Sequence, residues 1–291
     1  MSQNNTDQNY TDKAILISHL EWHIANGADE MLLNDPVDRT AMPVIPKVSA
    51  PTAVNQSVAS ASVKAPKKVL NFQDSAPQED IMGANQAIQE AQKIADACNS
   101  LEELQQAIKD FDGLSIRKTA SNMVFADGNK DADVMVIGEA PEAQDDVSGK
   151  AFRDDSGKLL DKILACIDLD RMSEDPKKSV YLSNILNWRP PGNRTPTTSE
   201  MDISRPFIIK HIDLIKPKAI IICGGGAGQT LLKSKDTISK LRGKFYDYSL
   251  SNGTVIPAMV TYHPTYLLRT PAQKKAVWAD MLMFQEKLKN L

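Results

Sequence analysis

The feature that most restricts the fold is an alternation that begins near residue 113. Four short apolar runs, at 134–139, 180–186, 219–224 and 256–262, are separated by segments of helical period, which fall at 156–168, 198–215, 226–233 and 271–289. Apolar runs of roughly 4–8 residues bounded by turn signals read as strands buried on both faces, and the longer segments are helices that cross back over them. Such alternation requires a parallel sheet covered on both sides. The predicted class is α/β, a three-layer α/β/α sandwich with a central four-stranded, mostly parallel sheet.

Upstream the pattern changes. Residues 1–39 form an extension with one amphipathic helix over 13–26 (Ile15, Leu16, Leu20, Trp22, Ile24), stopped by Gly27. His19 and His23 are four apart there, but Glu21 falls between them, so the zinc-protease pattern fails and a solvated helix face is predicted. Residues 40–83, rich in Ala, Ser, Val, Pro and Gln without a sustained period, have the composition of a disordered linker. The folded domain is placed at 84–291, with a helical lead-in over 84–112 that breaks near Asn99. Ser100 and Glu103 then form a capping box for the next helix.

The net charge of −3 conceals an asymmetry. Residues 1–112 carry 8 Lys and Arg against 16 Asp and Glu, whereas residues 113–291 carry 26 against 21. The half with the strands is therefore the basic half, which is compatible with a polyanionic partner. The acidic half reads as a solvated segment or a site for a protein partner. No run of about 18 apolar residues is present, so a membrane span is not expected. The N-terminus lacks the basic and apolar regions of a signal peptide. Cys98, Cys166 and Cys223 lack metal-ligand spacing; Cys166 and Cys223 fall in apolar patterns as core thiols, and a cytoplasmic location fits.

Chemistry-bearing residues recur at strand ends, where open α/β sheets bind their ligands. Glu139 follows Val134–Ile137, His263 follows Ala258–Tyr262, and Asn184 lies in a run that leads to Trp188-Arg189-Pro190-Pro191-Gly192-Asn193-Arg194. Acid, amide, imidazole and a basic Pro/Gly loop point to an enzyme that reads a nucleobase and grips its backbone. Gly224-Gly225-Gly226-Ala227-Gly228 fits neither a dinucleotide fingerprint nor a Walker loop. It reads as a tight turn into a helix that lends amides to a phosphate. The Asp127–Asp133 run resembles half a calcium loop but precedes a strand, and a turn is expected there.

These residues carry a family resemblance. Gly138-Glu139-Ala140-Pro141, followed by Asp146, Gly149, Phe152, Ser156-Gly157 and Leu159-Leu160, resembles the first motif of family 4 uracil-DNA glycosylases. Asn184 with Trp188–Pro196 is similar to their middle motif, and His263-Pro264-Thr265-Tyr266-Leu267-Leu268-Arg269 to their last. The stretch ending at Asn34-Asp35-Pro36-Val37-Asp38-Arg39 resembles the extension of alphaproteobacterial-type members.

The resemblance implies a monomeric base-excision repair enzyme acting on uracil-containing DNA, which flips the base out of the stack to reach it. In that reading Asn184 pairs with uracil O4 and N3–H, Phe152 stacks on the base and Ala140 lines the pocket. His263 donates to O2 as the base leaves. Glu139 either positions the hydrolytic water or stabilises the sugar cation. Asp145 stands where the family has a Glu that crowds uracil C5. Leu267, Leu268 and Arg269 form the wedge that replaces the extruded base. Arg189, Pro190, Pro191, Asn193 and Arg194 contact phosphates.

The chain also departs from the family. The four cysteines that hold a [4Fe–4S] cluster in most members correspond here to Phe111, Leu114, Trp188 and Ser204. None supplies a thiolate, so neither cluster nor metal is predicted, and apolar packing should fill the space. Glu142 stands where the family has Gly, and Phe152-Arg153-Asp154-Asp155 replaces a Phe-Val-Gly segment. Added negative charge beside a phosphodiester disfavours DNA. The alternative reading is therefore a homologue that binds DNA with lost or altered base excision.

Overall fold

The computed structural model describes residues 78–291. The expected helix at 13–26, the His19/His23 pair and residues 40–77 of the linker lie outside the described residues. Two helices open the described chain, α1 (Gln78–Ala97) and α2 (Leu101–Asp110). The first starts inside the stretch assigned to the linker. Ser100 caps α2, with its Oγ accepting from the Glu103 amide at 3.1 Å. Glu103 reaches back to the amide of Asn99 at 2.7 Å, one residue earlier than the usual box.

The sheet then builds from β1 (Asp127–Gly128), β2 (Val134–Gly138), β3 (Val180–Asn184), β4 (Ala219–Cys223), β5 (Phe245–Ser249) and β6 (Val255–Thr261), in the order β1-β3-β2-β4-β6-β5. Strands β3, β2, β4 and β6 are mutually parallel and correspond to the four expected runs. The expected count of four is corrected to six, because an antiparallel strand closes each edge. Both edges escape the apolar-run criterion for physical reasons. The first is only two residues long. The second, Phe-Tyr-Asp-Tyr-Ser, is half-exposed and returns to β6 through a turn in which Leu250 N–H donates to Thr254 at 2.8 Å.

Alternation along the strands creates two cores. Met135 and Ile137, Ile220 and Ile222, and Ala258 and Val260 face one side. Val134 and Val136, Ala219 and Ile221, and Met259 face the other. The first core is covered by α1, α2, α5 (Thr198–Ile215) and α6 (Gly225–Leu232), the second by α4 (Asp155–Ala165), α8 (Pro264–Arg269) and α9 (Lys274–Leu288). The short helices α3 (Ala143–Ser148) and α7 (Ile238–Leu241) sit in the connections after β2 and α6. Cys98 and Cys223 are buried, but Cys166 is exposed, which corrects its assignment to the core. It lies just beyond the last residue of α4, past the apolar stripe.

Candidate active site

The carboxyl ends of β2, β4 and β6 open onto a cavity of about 560 Å³. Glu139, Ala140, Pro190, Asn193, Arg194, His263 and Arg269 line it, together with Gly224, Gly225, Thr265, Tyr262 and Tyr266. Parts of all three motifs, which run from Gly138 to Arg269 in the sequence, therefore meet in one depression.

The β2 end supplies the acid. Glu139 Oε1 accepts from the Gly226 amide at 2.7 Å, at the first turn of α6. Burial pushes its carboxyl above the ordinary range, and the amides of Gly226 and Ala227 oppose that. The Gly-rich turn thus serves Glu139, which corrects the reading that its amides wait for a phosphate. Gly224 has φ of +106°, and a Cβ there would lie 2.4 Å from Glu139 Oε1, so only glycine permits this approach.

Beneath the cavity, outside its lining, Asn184 and Phe152 pack against Gly138 with His263 beside them. A Cβ on Gly138 would lie 2.3 Å from Asn184 Oδ1, 2.7 Å from Phe152 Cζ and 3.4 Å from His263 Nε2. Asn184 is buried, and among the described residues its Nδ2 has no hydrogen-bond partner. A buried, unpaired amide is costly. Phe152 adopts the left-handed region at φ +56°, unusual for a bulky residue. Its ring stacks near that of His263, centroids 5.8 Å apart. Gly157 makes this turn possible, because a Cβ there would lie 1.9 Å from the Phe152 carbonyl oxygen.

His263 stands at the N-cap of α8. Thr265 N–H donates to His263 Nδ1 at 3.3 Å, so the ring hydrogen belongs on Nε2, the atom that faces Gly138. Burial pushes the imidazole down to about 4, against the Asp154 charge that raises it and with the Arg269 charge that lowers it further. The ring is therefore neutral near pH 7 and presents one N–H.

Of the expected site residues, Asn184, Phe152, Asp145, Arg189, Pro191, Leu267 and Leu268 lie outside the cavity lining, and two of them are engaged elsewhere. Asp145 is buried in α3, where it accepts from the amides of Glu142 at 3.1 Å and Arg153 at 2.6 Å. One methylene shorter than Glu, it braces the loop and lies outside the cavity lining. Leu267 is fully buried in the second core, because successive helical residues turn by about 100° and only its neighbours Leu268 and Arg269 face outward. Leu267→Ala should cost about 2–5 kcal/mol of stability, whereas Leu268→Ala should stay within about 0.5 kcal/mol in thermal or denaturant melts.

The middle loop is pre-ordered. Arg189 Nε donates to Asn193 Oδ1 at 2.6 Å and lies 3.8 Å from Asp146, and Arg194 makes a two-pronged bond to Glu200 at 2.6 and 2.9 Å. Pro191 and Gly192 project into solvent beside them. Sequence reasoning missed Thr265, Tyr262, Tyr266 and the close approach at Gly138. A glycine ending a buried strand is the usual sign of close approach and was the available signal.

The model of the uracil DNA glycosylase superfamily matches residues 125–282. The chain belongs to the uracil-DNA glycosylase superfamily. It is 31% identical over 188 residues to a type-4 uracil-DNA glycosylase of Pyrobaculum aerophilum, an alignment covering 63% of this chain and 92% of that one. A protein of the same name from Archaeoglobus fulgidus is 31% identical over 62% of this chain and 89% of its own. One from Saccharolobus solfataricus is 34% identical over 60% and 79%. Family 4 of the glycosylases is thereby supported, while the N-terminal extension lies outside the matched residues.

The residues that the resemblance sets at the family's cluster positions carry no thiolate. Phe111, Leu114, Trp188 and Ser204 are all buried, and the Phe111 ring packs edge-on against Phe207 with centroids 5.1 Å apart. Phenyl, isobutyl, indole and hydroxyl groups are not cluster ligands. Among the described residues no group of three or more His, Cys, Asp or Glu could hold a metal ion. No described helix is long and apolar enough to cross a membrane.

Proposed function

We propose that this protein is a monofunctional uracil-DNA glycosylase. It hydrolyses the N-glycosidic bond of deoxyuridine in DNA and starts base-excision repair. The observation that carries the reading is the convergence on Gly138, next to the cavity, of a buried amide, an aromatic ring and an imidazole. A duplex base cannot reach such a site, so the nucleotide must be flipped. Asn184 then offers Nδ2–H to uracil O4 and Oδ1 to N3–H, and Phe152 stacks on the ring.

As the C1′–N1 bond breaks, its electron pair passes to the base and charge gathers on O2. His263 Nε2–H stabilises that charge as a neutral donor. Glu139, with one oxygen held by α6, turns its remaining capacity to the cationic sugar and to the water that attacks C1′. That water's second proton passes to solvent. Leu268 and Arg269 enter the gap left by the base, and the Arg189–Arg194 loop holds the flanking phosphates. The residues at 111, 114, 188 and 204 support a cluster-free enzyme. Activity as a monomer in the cytoplasm, where the DNA substrate lies, completes the proposal, and the acidic N-terminal half is read as a solvated segment or a site for a protein partner.

The second reading, DNA binding without normal excision, is favoured by Glu142 at the cavity mouth beside Asp154. One assay separates the two. A labelled oligonucleotide with a single deoxyuridine should be cleaved after alkali, and its thymine counterpart should not. Asn184→Ala should lower release by about 1–3 kcal/mol of base recognition while leaving stability unchanged or raised, because an orphaned amide is removed. An intact uracil strand in the presence of bound protein would select the second reading.

A further inference from the structure

The Asp127–Asp133 run takes no part in bond breaking, yet it supplies a side chain to the loop that carries Phe152. Asp127 opens the short edge strand β1. Its Oδ2 accepts from Arg171 Nη1 at 3.1 Å and lies 2.9 Å from Arg153 Nη2. Arg171 Nη1 has two hydrogens, and the second goes to the Ala151 carbonyl at 3.2 Å. Arg171 Nε donates to Asp161 on α4 at 2.6 Å. The Arg171 and Asp127 side chains are nearly enclosed, 5% and 11% exposed.

These contacts bracket one residue. Ala151 precedes Phe152 and Arg153 follows it, so one carboxylate ties both neighbours of a phenylalanine held at φ +56°. The Arg153 amide is held too, donating to Asp145 at 2.6 Å. A bulky residue in the left-handed region is strained, and it stays there only where its surroundings over-determine it. With the ties broken, the backbone is free to return to an ordinary conformation, which turns the ring away from Gly138 and His263. Exposed ion pairs contribute little. This one is buried and branched, and its guanidinium also grips a carbonyl, which fixes direction as well as distance.

We propose that Asp127 and Arg171 are positioning residues, which hold Phe152 in its left-handed turn so that its ring meets the flipped base. The inference rests on the glycosylase reading. Neither residue lines the cavity, and both act through Phe152. The departure at Arg153 fits the same device: where the family has Val, the guanidinium adds a second arm to Asp127. An ion pair that served the fold alone would stabilise the protein and leave the Phe152 backbone unaffected.

The test is a double-mutant cycle on single-turnover uracil release at saturating protein. It uses Asp127→Asn, Arg171→Lys and Arg153→Ala, each alone and combined with Phe152→Ala. Lysine keeps the charge of Arg171 but offers one nitrogen where the clamp uses two. Asp127→Asn and Arg171→Lys should each lower the rate about 5- to 150-fold, the range set by releasing strain of this order. Affinity for undamaged DNA should not change. In Phe152→Ala protein the same two changes should lower the rate by less than about twofold, because the residue they act through is gone. Backbone ¹³C shifts of labelled phenylalanine give a readout without DNA. The chain has seven phenylalanines, and the Phe152 signal is the one lost in Phe152→Ala. That signal should leave the left-handed range in both variants. Thermal melts identify the variants that fold. Arg153→Ala, at a side chain 35% exposed, removes only the outer arm and should show a smaller loss of the same kind. It carries both readouts if the two buried changes unfold the protein. Rate losses that add to that of Phe152→Ala, or a Phe152 signal unmoved in the folded variants, would overturn the proposal. If wild type releases no uracil, the glycosylase reading fails, and the carbon spectra still decide the clamp.

Discussion

His263→Ala is expected to reduce uracil release by about 10²–10³-fold. The imidazole is the one N–H donor aimed at Gly138 from β6, and a donor placed where charge develops is worth more than the same bond in water. Burial holds the ring neutral down to about pH 4. The loss in the variant should therefore be uniform across the neutral and alkaline range rather than confined to one limb. His263 also accepts the Thr265 amide at the N-cap of α8, so the substitution removes a cap worth about 1 kcal/mol. Melting and DNA-binding measurements separate the two effects. A modest drop in melting temperature with retained DNA affinity leaves the rate loss to chemistry. A loss below tenfold would mean that the leaving base is stabilised by some other group, and that Asn184 and Phe152 merely hold it.

The parallel strands, their order along the chain and the strand-end placement of Glu139, Asn184 and His263 were legible because buried parallel strands read as unbroken apolar runs. The edge strands were not, since a two-residue strand has no period and a half-exposed one mixes both signals. At the site, residue type was readable and direction was not. Leu267 and Leu268 are indistinguishable in composition, yet the step of about 100° between neighbours on α8 sends the first into the core and the second to solvent. Asp145 looked like a pocket residue by its position in the motif, and only the folded loop reveals two amides already claiming it. The Asp127–Arg171 contact joins residues 44 positions apart, and no local pattern announces it. Glu142 and Asp154 were visible only as two unrelated departures; the fold makes them a pair.

Gly138 gives the second large effect. Gly138→Ala adds one methyl group to the end of β2, with no change of charge and with a backbone conformation that alanine adopts freely. That methyl would lie 2.3 Å from Asn184 Oδ1 and 2.7 Å from Phe152 Cζ, both within normal contact distance, so each must move. Phe152 has little freedom, because its left-handed backbone is pinned by Gly157 and the adjacent α4 turn. Asn184 is the end of a central strand, paired to β2 directly opposite Gly138. Overpacking of this kind costs about 1–3 kcal/mol, which a domain with two filled cores should survive. The site would not. The methyl would displace Asn184 Oδ1 and Phe152 Cζ, and so tilt the amide and ring that the proposed function assigns to reading the base. Uracil release should fall by at least as much as in His263→Ala, whereas affinity for undamaged DNA, which the proposed function assigns to the Arg189–Arg194 loop and Arg269, should stay near the wild-type value. Retained excision in a folded Gly138→Ala protein would place the base elsewhere, in the wider cavity between Glu139 and Tyr262, and would remove Asn184 from the substrate.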